Sequence, residues 1–209
     1  MLILQCILGL QIQSLMRRDT WEIVSRKSVA DHNVLPVTWS FKCKRKPDWK
    51  IRKFKARYCV RGDIQKRLSP KPLNSYSPVV QCTTVRLMLI LQFIIGLQSQ
   101  SIDFTNDFAQ ADIPSGDTVF IELPRDFKSD GGQHDVVLKL KKSLYGQSKA
   151  ACLWYEKLQN GLLERGFVTS KVDPYLFMSN TVIFVVYVDD CLFWSCSQSD
   201  IDIVIKSFK

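Results

Sequence analysis

The sequence predicts an α+β fold in which an antiparallel sheet is backed by helices, with a separate strand-rich lobe that carries most of the positive charge. Residues 181–188 are almost all apolar and mostly β-branched, and a second apolar run, 191–194, follows directly after Asp189 and Asp190. This order is typical of two buried strands joined by a turn. Three longer runs have the apolar content or spacing of helices, namely 85–97, 148–165 and 199–208.

The predicted helices differ in their setting. The run 85–97 is apolar nearly all round and follows Thr83 and Thr84, so we expect a core helix with a threonine cap. The run 199–208 has apolar residues on one face only, which predicts an amphipathic helix capped by Ser199.

Composition excludes several classes of site. The seven cysteines include no CxxC pair, so a zinc site is not indicated, and their odd number favours free thiols in a reducing compartment. The two histidines have no neighbouring nucleophile pattern that would indicate a Ser-His or Cys-His hydrolase. Residues 1–15 are apolar but lack a basic leading region and a cleavage site, so we expect a buried amphipathic helix there and neither a signal peptide nor a transmembrane segment.

Positive charge is concentrated in one segment. Residues 42–67 contain twelve Lys or Arg and two Asp, a net charge of +10, against +9 for the whole chain. The loose alternation of residues 51, 53, 55 and 57 predicts a two-stranded ribbon. Two interpretations stay open: a solvated hairpin whose lysines protect its edges, or a surface that binds phosphate groups.

Three carboxylates form the second candidate site. Asp189 and Asp190 follow the strand-like run 181–188, and Asp103 lies in another strand-like setting far upstream. If the two strands were neighbours, the repulsion between the acids would be relieved by cations such as Mg²⁺ or Mn²⁺. Two ions about 4 Å apart would bind the attacking and leaving oxygens of a phosphoryl transfer. An Asp-rich turn without a metal is the alternative interpretation.

A family resemblance joins these observations. Residues 187–190, YVDD, resemble the box of that sequence in reverse transcriptases. Further segments resemble, in the same order, the copia-type retrotransposon branch: TWEIV (20–24), KAR (55–57), RG (61–62), YSPVV (76–80), TTVRL (83–87), IDF (102–104), KKSLYG (141–146), WYEKL (154–158) and DPYLF (173–177). The resemblance runs from Gln13 to Asp202, which is nearly the whole chain.

The resemblance implies a fold, a reaction and partners. It implies a helical N-terminal segment in residues 1–20, fingers with the basic ribbon and first long helix in 21–100, and a palm in 101–209. No thumb-like segment follows, so we expect a piece of a longer Pol polyprotein. The implied activity is RNA-directed DNA polymerisation, in which a dNTP is joined to a primer 3′-OH on an RNA or DNA template. The implied location is cytoplasmic element particles or the nucleus, away from membranes.

The resemblance also assigns roles to residues of this chain. The implied catalytic residues are Asp103, Asp189 and Asp190, which would bind Mg²⁺ or Mn²⁺ together with the backbone carbonyl of Phe104. The implied nucleotide-binding residues are Lys55, Arg57, Phe108, Gln147 and Lys149. The implied nucleic-acid-binding residues are Lys50, Arg52, Lys53, Arg61 and Tyr187.

The sequence departs from the family pattern near the nucleotide. Asp107 stands where the family has a small Ala, and residues 109–111 replace a Leu-x-Gly pattern. At the start of the helix 148–165, the family often has Gln and Pro, whereas this chain has Lys149 and Ala151. We therefore expect weakened nucleotide binding and poor primer extension by this chain. The alternatives are a remnant that only binds nucleic acid through residues 42–67, and a Mg²⁺ nuclease that uses the same carboxylates.

Overall fold

The computed structural model describes residues 2–69, 73, 75–77, 79–104, 108–124, 135–188 and 190–208. Their helices are α1 (Leu2–Arg17), α2 (Gly62–Leu68), α3 (Cys82–Ile95), α4 (Ala150–Glu164) and α5 (Gln198–Ser207). Their strands are β1 (Trp21–Ser25), β2 (Val34–Leu35), β3 (Val37–Arg45), β4 (Ile51–Val60), β5 (Gln98–Asp103), β6 (Phe120–Ile121), β7 (Val136–Leu140), β8 (Val168–Thr169), β9 (Leu176–Met178), β10 (Val182–Tyr187) and β11 (Asp190–Ser195). The predicted α+β class is confirmed.

The chain divides into two compact units. The first contains Met1–Ser75 and Phe108–Leu153, and the second contains Tyr76–Asp107 and Trp154–Lys209. No helix in the described part of the chain combines the length and the apolar character that crossing a bilayer requires.

A four-stranded sheet and a long hairpin form the first unit. The sheet has the order β1-β7-β6-β2, in which β2 runs parallel to β6 and the other pairs are antiparallel. Its core includes Leu15 of α1, Tyr58 of β4 and Leu138 of β7. The buried Thr20 hydroxyl donates to the Leu15 carbonyl at 2.7 Å, which satisfies a backbone group at the end of α1.

The hairpin β3–β4 is the predicted two-stranded ribbon. Its register runs from Val37 opposite Val60 to Lys44 opposite Lys53, with a shift after Lys44. Residues at the C-terminal end of β4, such as Tyr58 and Val60, are buried in the core of the first unit. Residues at the start of β4, nearest the turn from β3, are exposed. One end of the ribbon is thereby fixed, and the charged end extends into solvent.

A five-stranded sheet organises the second unit. All neighbours in the order β5-β11-β10-β9-β8 are antiparallel, as predicted. The rings of Phe177, Phe184 and Phe193 are completely buried in the core, and α5 packs on β11 and β5. Helix α5 begins after Ser197 rather than after the predicted cap Ser199.

Helix α3 forms where predicted but in a different setting. Only Thr84 and Met88 are buried, while Phe93 is 91% exposed, so the prediction of a core helix is wrong. Thr84 and Met88 lie one turn apart and form one narrow buried stripe, whereas most other apolar side chains of the helix are exposed. The predicted threonine cap is also wrong, because Gln81 is the N-cap and the Thr84 hydroxyl donates to the buried carboxylate of Asp173.

Candidate functional site

Two of the three predicted acids lie opposite each other in the second unit. Strands β5 and β11 pair in a register that runs from Ser195 opposite Gln98 to Asp190 opposite Asp103. Directly opposed residues project from the same face of a sheet, with Cβ atoms roughly 4.5–5.5 Å apart. Both aspartates are exposed, and within the described residues no Lys or Arg forms an ion pair with either one. Asp189 lies outside the described residues, so its predicted approach to Asp103 stays a prediction.

The apolar residues of the hairpin explain how the acids reach this edge. Strand β10 is buried from Val182 to Val186 except for Ile183, and β11 is buried at Cys191 and from Phe193 to Ser195. Burial of these side chains fixes the register, since a slip by one residue would turn them to the other face. Val188, in the turn, has a φ of +60°, a conformation that costs a β-branched residue on the order of 1–3 kcal/mol.

The carboxylate oxygens of Asp103 and Asp190 are suitable ligands for a hard cation. Carboxylate oxygens are the ligands that Mg²⁺ and Mn²⁺ prefer, and two of them face each other at this edge. The described residues contain no group of three or more His, Cys, Asp and Glu that could hold a metal ion. The Phe104 ring packs edge-to-face against Trp154, with ring centroids 5.2 Å apart.

The ribbon of the first unit has a cationic face. Lys42 lies opposite Lys55 and Lys44 opposite Lys53, and Arg57 follows on the same face opposite Ser40. The other face carries Tyr58, which is buried in the core, and Trp39, which packs against that core. Phe41 and Phe54 lie on the same face but are exposed. Like charges placed directly opposite each other destabilise a strand pair. Lys42 and Lys44 were not singled out from the sequence, although the alternation of β3 would have indicated them once the turn was located.

The remaining predicted nucleic-acid contacts are dispersed. Lys50 lies near the ribbon turn with Asp48 at 3.4 Å, Arg52 lies beside the register shift, and Tyr187 ends β10 in the other unit. Arg61 donates two hydrogen bonds to Asp63, at 2.8 and 2.7 Å. These bonds lower the pKa of Asp63 to about 2, so Arg61 already has a counter-charge within the chain.

A pocket of about 480 Å³ in the first unit brings two predicted nucleotide-binding residues together. Phe108 and Gln147 line it with Asp63, Lys66, Gly62 and Gly146. Gly146 has a φ of +82°, and an added Cβ would collide with the Val60 carbonyl oxygen, so only glycine permits this close approach of the chain to β4. Lys66 was missed as a separate candidate because the sequence showed it only as one member of the basic segment.

Tyr145 connects this pocket to the ribbon. Its ring packs edge-to-face on Phe108 with centroids 4.8 Å apart, and the guanidinium of Arg57 lies 4.9 Å from the same ring centroid. The Arg57 Nε is buried and has no hydrogen-bond partner among the described residues. An unsatisfied buried donor is costly, and a phosphate oxygen would satisfy it. The sequence contained Tyr145 within a family segment but gave no sign of this stack.

Lys149 lies apart from Phe108. It lines a smaller pocket of about 180 Å³ and forms an ion pair with Asp117 at 2.7 Å. Gln147 lines both pockets, and its side-chain oxygen accepts a hydrogen bond from the Leu144 backbone N–H at 3.2 Å. Asp107, which was predicted to disturb the nucleotide pocket, lies outside the described residues.

Comparison with known proteins gives consistent similarities. A family model described as reverse transcriptase (RNA-dependent DNA polymerase) matches residues 18–209. The retrovirus-related Pol polyprotein from transposon TNT 1-94 of Nicotiana tabacum is 30% identical over 187 residues, which cover 87% of this chain and 14% of that polyprotein. The corresponding polyprotein from transposon RE1 of Arabidopsis thaliana is 31% identical over 189 residues, covering 88% and 13%. The chain therefore spans only a small part of either relative.

The chain also matches solved structures, and one of them is viral. A foamy viral protease-reverse transcriptase in complex with double-stranded DNA covers 95% of this chain and 28% of its own chain, with 13% identity and a TM-score of 0.46.

Proposed function

The chain belongs to the reverse transcriptase (RNA-dependent DNA polymerase) family, and on that premise we propose that it catalyses template-directed transfer of a deoxynucleotide to a primer 3′-OH. The observation that carries this proposal is the register that sets Asp103 opposite Asp190. Two carboxylates held this close, without a described cationic partner, favour a divalent metal as their counter-charge.

The proposed metal ligands are Asp103, Asp189 and Asp190, with the Phe104 carbonyl. Bound Mg²⁺ or Mn²⁺ ions at this edge would neutralise charge on the attacking and leaving oxygens of the transfer. The contribution of the chain is to fix the two carboxylates through the strand register and to hold the Val188 turn beside them. Catalysis of this type depends on positioning and charge neutralisation rather than on a covalent intermediate.

The first unit supplies the proposed nucleotide-binding groups. Phe108 would pack against the sugar, and Arg57, already stacked on Tyr145, would donate its unsatisfied Nε–H to a phosphate oxygen. Gln147 lines the same pocket as Phe108 and would contact the nucleotide there. Lys55, which lies on the ribbon, is also proposed to bind the nucleotide. Lys149 would reach a phosphate only by leaving Asp117.

The cationic face of the ribbon supports nucleic-acid binding. Lys42, Lys44, Lys53 and Lys55 project from one surface, and clustered cations of this kind bind phosphate backbones by releasing counterions. The proposed ligands of this surface are the template and primer strands.

Primer extension with purified residues 1–209 tests the proposal. We expect the wild-type chain to extend a labelled primer slowly in Mg²⁺, in line with the departures near the nucleotide, and Asp103→Asn to reduce that rate by at least about a hundredfold, the scale of losing a preorganised electrostatic contact. Asp202→Asn, which removes an exposed carboxylate from α5 of the same unit, is the matched control and should extend at the wild-type rate.

The same assay separates the alternatives. Binding of template-primer without extension by the wild-type chain would favour a remnant that only binds nucleic acid, for which the cationic ribbon is the supporting observation. Shortening of the primer without extension would favour a nuclease that uses the same acids.

A further inference from the structure

The turn that precedes β11 has an unfavourable backbone conformation. Val188 has a φ of +60°, in the left-handed region, and β-branched residues rarely adopt this conformation. Such a residue keeps its conformation only when its surroundings hold it there. The contacts of Val188 therefore indicate what determines the position of the acids that follow it.

Trp154 provides one such contact. Its indole Nε1 donates a hydrogen bond to the Val188 carbonyl oxygen at 2.8 Å. Trp154, Leu158 and Leu162 lie at i, i+4 and i+8 on the buried face of α4, so the helix packing fixes the position of the indole. The side chain is 5% exposed, and a buried tryptophan N–H requires an acceptor, which this carbonyl supplies.

The same ring contacts the other acid-bearing segment. Phe104, which directly follows Asp103, packs edge-to-face on Trp154 with centroids 5.2 Å apart and an interplanar angle of 71°. Phe104 also packs against Phe208, with centroids 5.7 Å apart. One side chain thus contacts the chain immediately after Asp103 and the turn immediately before Asp189.

Resting on the proposed function, we infer that Trp154 is a positioning residue that keeps the carboxylates of Asp103 and Asp190 opposed so that they bind a divalent cation together. It acts through the Val188 backbone and the Phe104 ring rather than on the substrate. The two contacts are separable, because a phenylalanine at position 154 keeps an aromatic ring beside Phe104 but cannot donate to Val188.

A second tryptophan of the same unit offers a matched control. The Trp194 indole Nε1 donates to the Gln92 side-chain oxygen, also at 2.8 Å, and Trp194 is completely buried. Trp154→Phe and Trp194→Phe therefore each remove one buried indole hydrogen bond from the second unit, but only the first removes a bond to the acidic turn.

The experiment uses the full 209-residue chain with Mn²⁺ as the probe. Free Mn²⁺ is measured by electron paramagnetic resonance during titration, and the Val188 carbonyl is observed by ¹³C NMR. We expect Trp154→Phe to weaken Mn²⁺ binding about tenfold, equivalent to about 1.4 kcal/mol, and to shift the Val188 carbonyl resonance. Trp194→Phe should change neither quantity, although both variants should lose thermal stability.

A benzothiophene analogue placed at position 154 alone, with sulfur in place of the indole N–H, keeps the shape of the side chain and should reproduce the effect even if Trp154→Phe does not fold. Unchanged Mn²⁺ affinity in these position-154 variants, or equal losses in Trp154→Phe and Trp194→Phe, would overturn the inference. If the wild type binds Mn²⁺ no more tightly than Asp103→Asn does, the proposed function fails instead. The Val188 resonance then still decides whether Trp154 holds the turn: a shift supports this role and an unchanged signal removes it.

Discussion

Two strand pairs of this protein each set like charges opposite each other, and they differ in how that repulsion can relax. In the ribbon, Lys42 faces Lys55 and Lys44 faces Lys53, whereas in the second unit Asp103 faces Asp190. A lysine ammonium group sits at the end of a flexible four-carbon chain and can move away from its neighbour in water. An aspartate carboxylate is one methylene from the backbone, so the register itself sets its separation.

This difference indicates two kinds of ligand. Spread, mobile cations suit an extended polyanion, and the resulting binding should depend strongly on salt. A fixed pair of carboxylates suits a compact divalent cation, whose binding depends on geometry more than on ionic strength.

The largest expected effect concerns the acid pair. Asp103→Asn and Asp190→Asn should each lower Mn²⁺ affinity by at least about tenfold, because a neutral amide is a weaker ligand than a carboxylate. If both acids hold the same ion, the double variant should lose much less than the product of the two single losses. Titration of the three variants measures this coupling, and fully multiplicative losses would mean that the acids act separately.

The next effect concerns the ribbon. Replacing Lys42, Lys44 and Lys53 by Gln should weaken binding to duplex nucleic acid and reduce the slope of log K against log salt by about three units at most. Fluorescence anisotropy at several salt concentrations measures the slope. Lys27, Lys171 and Lys206, exposed residues outside the ribbon, provide a control triple with the same change in net charge. Equal slopes for the two triples would show that net charge, not the ribbon, drives binding.

Much of the fold could be predicted from the sequence, because the spacing of apolar residues indicates which side chains are buried. The β10–β11 hairpin, the amphipathic stripe of α4 and the ribbon all follow from local periodicity. The burial of α3 was mispredicted, since an all-apolar helix does not reveal how many of its sides will meet a neighbour. The cap of α3 was mispredicted because Thr84 bonds to Asp173, a partner distant in sequence.

Less of the candidate site could be predicted from the sequence, because its contacts also join residues that are distant in sequence. Clustering of cations was visible, but the alternation that puts Lys42 and Lys44 on one face depended on locating the ribbon turn. Arg61 pairs with Asp63, and the stack of Arg57, Tyr145 and Phe108 joins residues that are far apart in sequence. Side-chain pairing of this kind leaves no periodic signal.

A smaller effect concerns Arg61 and its ion pair with Asp63. Asp63→Asn should free Arg61 and strengthen nucleic-acid binding severalfold, with an increase in salt slope of one unit at most. Because the folded-state pKa of Asp63 is lowered to about 2, the stabilising effect of the pair is present above the usual aspartate pKa of about 4 and is lost as pH falls through about 2. The difference between variant and wild type should therefore stay constant from pH 5 to 8. A difference that changes across this range would mean that another group controls Arg61.

The smallest expected effect is on stability, and it tests the shared feature of the two strand pairs directly. Lys44→Gln and Asp190→Asn each remove one member of a like-charged pair, so each should raise the free energy of unfolding by roughly 0.2–1 kcal/mol at low salt. Urea denaturation measures this change.

At 1 M salt, where the screening length falls to about 3 Å, the gain from Lys44→Gln should disappear. Added Mg²⁺ should reverse the gain from Asp190→Asn, since the wild-type acid pair would then have its counter-charge and the variant would not. A gain that persists at high salt, or that Mg²⁺ leaves unchanged, would mean that the opposed charges are not what limits stability at these positions.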